Sequence, residues 1–95
     1  MLDAITRAIR WEMKLFKTAA SDGVSLPTPH VSASAQGEVV LEWWRGERKI
    51  TVYIAPDGDV EYIRIWGADI ENDMTNGTAN TGVEGLQQMR WLQGI

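Results

Sequence analysis

Apolar positions recur along this chain with two different periods, and the change of period divides it. Near the start they fall at helical spacing. Leu2, Ile5, Ile9, Met13, Phe16 and Ala20 form one stripe, and Ala4, Ala8, Trp11 and Leu15 form a second beside it. Residues 3–20 therefore read as a helix, with Asp3 placed as its N-cap. Arg7, Arg10, Lys14 and Lys17 share the remaining side with Asp3. The apolar arc is wider than a surface helix needs. One stripe is expected to cover a sheet while the other meets a second element or another chain.

Residues 21–37 break the period with Ser21-Asp22-Gly23 and Pro27-Thr28-Pro29 and read as a connector, since each proline holds its predecessor extended. His30 to Ala33 suits a short edge strand. The period then changes to two. Val39–Trp44, Lys49–Ala55 and Val60–Trp66 are rich in β-branched and aromatic residues and read as three strands. Gly46-Glu47 fits a two-residue type II′ turn and Asp57-Gly58 a type I′ turn.

Those turns set a register. The first pairs Trp43 with Ile50, Leu41 with Val52 and Val39 with Ile54; the second pairs Ile50 with Ile65, Val52 with Ile63 and Ile54 with Glu61. One face is then almost wholly apolar. The other carries the rows Trp44–Lys49–Trp66, Glu42–Thr51–Arg64 and Val40–Tyr53–Tyr62, an aromatic ledge with Lys49 between two indoles. Beyond Trp66 the chain reads as a loop with a turn at Asn76-Gly77. Thr81-Gly82-Val83-Glu84 is a capping-box pattern opening a second helix to about Gln93, stopped by Gly94. Val83, Leu86, Met89 and Leu92 are its expected buried side, and Trp91 falls off it.

The expected architecture is one α+β domain over residues 1–95: an N-terminal helix, a three-stranded antiparallel meander with room for a fourth strand, and a C-terminal helix. The chain is 95 residues long, 44% hydrophobic and 23% charged, within the ordinary globular range. It has no cysteine, which removes disulfides, thiolate metal sites and cysteine nucleophiles. No apolar run reaches the roughly 18 residues of a membrane span, and the start lacks a secretory pattern. A cytoplasmic location is expected.

Net charge is −4 and uneven. Residues 1–17 set Arg7, Arg10, Lys14 and Lys17 against Asp3 and Glu12; residues 57–84 set Arg64 alone against Asp57, Asp59, Glu61, Asp69, Glu71, Asp73 and Glu84. This balance disfavours nonspecific duplex binding, where cationic contacts dominate affinity, and leaves room for a basic partner.

Candidate chemistry is sparse. His30 is the only histidine, and nothing predicts a nucleophile and carboxylate converging on it. Asp57-Gly58-Asp59-Val60-Glu61 starts like a calcium loop, but Tyr62 and Ala68 occupy the positions that need glycine and glutamate. No catalytic, metal or cofactor-binding residue is expected, and no enzyme. The ledge residues Trp44, Lys49, Tyr53, Tyr62, Arg64 and Trp66, with the carboxylates Asp69, Glu71 and Asp73, are the candidate partner-binding set. Exposed aromatics with arginine mark protein interfaces.

Pro27-x-Pro29-x-Val31, Gly37-x-Val39-x-Leu41-x-Trp43 and Pro56-Asp57-Gly58-x-Val60-x-Tyr62 together resemble a pattern recurring in small uncharacterised bacterial proteins. The resemblance covers residues 27–66, implies strands and turns and a prokaryotic or phage origin, and carries no activity. The function expected is a non-catalytic protein-binding module, a small acidic protein that dimerises or inhibits a larger partner in the manner of an immunity protein, antitoxin or phage anti-defence inhibitor. The alternative is a single-stranded nucleic-acid binder that stacks bases on the ledge.

Overall fold

A computed structural model describes residues 3–95, so Leu2 of the first helical stripe lies outside the described residues. The first helix, α1, runs Ala4–Ser21, and the Asp3 side chain accepts the Thr6 N–H at 2.9 Å as its N-cap. Of the two apolar stripes, the one with Ala4, Ala8, Trp11 and Leu15, extended by Ala19, is buried. Three of these residues, Ala4, Ala8 and Ala19, join the core as small side chains. The Trp11 indole N–H, which must find an acceptor once buried, donates to the Ala79 carbonyl at 2.7 Å.

Five strands follow: β1 (His30–Ala33), β2 (Val39–Arg45), β3 (Arg48–Ile54), β4 (Glu61–Ile65) and β5 (Met74–Thr78). They form one antiparallel sheet in sequence order, with β1 the predicted edge strand and β5 an addition to the expected three or four. A second helix, α2 (Gly82–Gln93), closes the chain. Thr81 and Glu84 form the predicted capping box, and Gly94 takes the left-handed C-cap conformation at φ 75°. Both helices pack on the same sheet face, in one core with Leu41, Trp43, Ile50, Val52 and Ile54. The helices meet where Gly82 and Gly85 of α2 lie against Lys14, Thr18, Trp11 and Leu15. Leu86, Met89 and Leu92 are buried as expected; Val83 is instead 61% exposed, because Gly85 and Gln88 take up the inward side.

The β2–β3 register is the predicted one, with Trp43 opposite Ile50, Leu41 opposite Val52 and Val39 opposite Ile54. Gly46 supplies the positive φ of 61° that its turn requires. The β3–β4 register differs by one residue: Ile50 faces Arg64, Val52 faces Tyr62, and Thr51 faces Ile63. The difference is made in the turn. A type I′ turn needs positive φ at both Asp57 and Gly58, yet only Gly58 has it, at 81°. Pro56-Asp57-Gly58 instead matches the three-residue loop in which a type I turn, with proline first, ends in a left-handed glycine.

A one-residue slip reverses every side chain of the strand. Ile63 and Ile65 therefore leave the helix-covered face, and Tyr62, Arg64 and Val60 enter it.

The same slip explains β5. Asn76-Gly77 is strand rather than turn, with Gly77 directly opposite Tyr62. A Cβ at Gly77 would stand 2.8 Å from the Tyr62 hydroxyl and 3.0 Å from its ring. The glycine is there because the phenol ring covers it.

Candidate interaction surfaces

The aromatic ledge is not assembled. Trp44, Lys49 and Tyr53 lie on the open sheet face as predicted, in rows completed by Ile65 and Met74, and by Val40 and Glu61. Tyr62, Arg64 and Trp66 do not join them, because β4 is turned over. Lys49 sits beside one indole rather than between two: its ammonium is 5.3 Å from the Trp44 ring and 2.8 Å from a Glu42 carboxylate oxygen. No helix covers this face, which corrects the option that α2 seals it. His30 sits on β1 beside Trp44, rings 6.2 Å apart. The face that results is mixed, as antiparallel sheets with one solvated side usually are.

The acidic stretch after β4 has a structural use. Asp69 accepts the Glu71 N–H at 3.0 Å and the Asn72 amide at 2.7 Å, and these bonds hold its carboxyl below the usual range. Asp73 accepts the Asp69 N–H at 3.1 Å. Asp69 and Asp73 are thus committed to building the β4–β5 loop, and only Glu71 of the three remains fully available. Among the described residues no group of three histidine or carboxylate side chains is placed to hold a metal ion, and no helix is long and apolar enough to cross a membrane.

Two surfaces stand out instead. The first is the unburied stripe of α1. Ile5, Ile9, Met13 and Phe16 are exposed by 63, 55, 53 and 48%, a continuous apolar ridge over three turns. The sequence shows this stripe but cannot say which of the two is buried. Helical geometry puts Glu12 along one border of the ridge and Arg10 and Lys17 along the other. Burial raises the Glu12 carboxyl above its ordinary pKa, and no cation pairs with it among the described residues.

The second surface was not foreseen in the sequence, because its residues come from four separate segments. Arg45 and Arg48 of the β2–β3 turn, Arg64 of β4 with Trp66 just after it, Thr75 of β5 and Trp91 of α2 line one open cleft of about 750 Å³. Trp91, expected to fall off the buried side, is half-buried here. Arg48 and Arg64 each stand 5.1 Å from its ring centroid, and Trp66 meets it edge-on at 5.9 Å.

Fold and surfaces together define a two-layer α+β domain: two helices on one face of a five-stranded meander, the opposite face open, and an apolar ridge along the outer helix. No family model, curated protein or solved structure matches this chain.

Proposed function

We propose that this chain is a non-catalytic protein-binding module that works through α1, and that the ridge of α1 takes a second copy of the chain. The observation that carries the reading is the exposed stripe Ile5–Ile9–Met13–Phe16 on a helix already anchored by its other side. Contiguous apolar surface of this kind marks interaction sites.

The charges along the ridge select the occupant and its direction. On a heptad frame Ile9 and Phe16 take d positions and Met13 and Ala20 a positions, with Ile5 and Glu12 at g and Arg10 and Lys17 at e. In a parallel pair, g residues face e residues of the other helix. Glu12 then meets Lys17 of the second copy, which supplies the cation it lacks. Antiparallel pairing would set Arg10 and Lys17 against themselves. Four half-exposed side chains per protomer make an interface at the small end of specific association, so the dimer is weak and reversible.

Sedimentation velocity from about 10 μM to 1 mM tests this. A concentration-dependent dimer is expected. Ile9→Asp should leave a monomer with the urea midpoint that dilute, monomeric wild type has, since Ile9 is exposed in the free chain. Glu12→Lys should weaken association, and adding Lys17→Glu should restore it. A strict monomer throughout, or an Ile9→Asp variant that dimerises normally, overturns the proposal.

A further inference from the structure

The cleft between the β2–β3 turn and the end of α2 concentrates positive charge in an acidic protein. Arg48 donates to the Trp91 carbonyl. Arg64 donates from Nε to the Gln88 side-chain oxygen at 2.6 Å and lies 5.6 Å from the Tyr62 ring. Arg45 is exposed, and its guanidinium makes no hydrogen bond among the described residues. A guanidinium has five N–H donors, so most donors of all three are unused. None of the three has a carboxylate partner: the ion pairs among the described residues are Lys49–Glu42 and Arg90–Asp22. Glu47 is the one acidic residue at the rim, and it is not within ion-pair distance of any of them.

Arg48 and Arg64 are both held against one indole, within twice 5.1 Å of each other. Two like charges, half-buried in one cleft and without a counter-ion, repel one another. Each cation lies within cation–π range of the Trp91 ring, a contact that restricts its side chain. Unused donors of three arginines lining one cleft suit phosphate, whose oxygens accept charge-assisted hydrogen bonds from guanidinium groups. A cleft of about 750 Å³ is far larger than one such ion and falls in the range of small-molecule sites. Trp66, edge-on to Trp91, adds a flat apolar wall beside the arginines.

We infer that the cleft binds a phosphate-bearing small molecule, with Arg45, Arg48 and Arg64 on its phosphates. The site lies on elements other than α1, so it does not depend on the dimer.

The test is a titration followed by tryptophan fluorescence and calorimetry, with ADP, inorganic pyrophosphate and adenosine as separate probes. Saturable binding of ADP or pyrophosphate is expected, weakening as salt rises. Tighter binding of ADP than of pyrophosphate assigns the indoles a part in recognition; equal binding assigns the site to the phosphates alone. Arg64→Gln should weaken binding about tenfold or more. That variant also loses its ring contacts, so Arg45→Gln, at an exposed position, serves as a second and should weaken binding while leaving the circular dichroism spectrum unchanged. No saturable response to either phosphate compound up to about 10 mM, or binding indifferent to Arg45→Gln and Arg64→Gln together, overturns the inference.

Discussion

Placing a methyl group at Gly77 tests the orientation of β4, on which the surfaces depend. In Gly77→Ala the new carbon would stand 2.8 Å from the Tyr62 oxygen and 3.0 Å from two ring carbons. Those distances are well inside van der Waals contact, and the ring is not free to move away because it also packs against the core. Overpacking of this kind costs about 1–3 kcal/mol. The substitution also gains about 0.5–1 kcal/mol, because alanine loses less conformational entropy than glycine in a strand. The net expectation is a loss of about 1 kcal/mol.

In a Tyr62→Val background the clash is absent and only the gain remains. Gly77→Ala should then stabilise by about 0.5 kcal/mol, a coupling between the two sites of about 1.5 kcal/mol. Urea unfolding of the four proteins, followed by circular dichroism, measures it. With a slope of about 1 kcal/mol per molar, the single Gly77→Ala midpoint falls by about 1 M and the coupled pair recovers it. Additivity within about 0.3 kcal/mol would mean that Tyr62 does not lie over Gly77. The three-residue turn at Pro56-Asp57-Gly58 would then not have turned β4 over.

Two further outcomes follow from single side chains. Trp11→Phe keeps the buried ring but removes the N–H that satisfies the Ala79 carbonyl, and should lower unfolding free energy by about 2 kcal/mol in the same assay. In the dilute monomer, where Glu12 has no second copy to meet, Glu12→Gln should stabilise the chain at neutral pH, because burial disfavours the carboxylate and raises its folded pKa. An acid with a raised folded pKa takes up its proton more readily when folded. The disadvantage of wild type relative to Glu12→Gln is therefore full above the folded pKa and shrinks as pH falls through it; a difference independent of pH would refute this.

Helix ends, caps and one hairpin are legible in the chain, because each depends on neighbours a few residues apart. The extents of α1 and α2, the Asp3 cap, the Thr81–Glu84 capping box and the Gly94 stop all follow from local backbone chemistry. So does the β2–β3 register, where a glycine-first turn has one geometry that fits the strand twist. Tertiary structure decided the choices for which the local pattern offers two equal answers. In α1 both stripes are apolar, and only packing against the sheet selects the alanine-rich one, leaving Ile5, Ile9, Met13 and Phe16 outside.

In β4 both alternations are acceptable, Ile63 and Ile65 on one side and Val60, Tyr62 and Trp66 on the other. A Pro-Asp-Gly turn admits a loop of two or three residues, and hydrophobicity cannot break the tie. The core breaks it by placing Tyr62 over a glycine of a strand that has almost no strand character of its own. The arginine–tryptophan cleft lay beyond sequence reading for the same reason: proximity across four separate segments exists only once the strand has turned over and α2 has docked beside it.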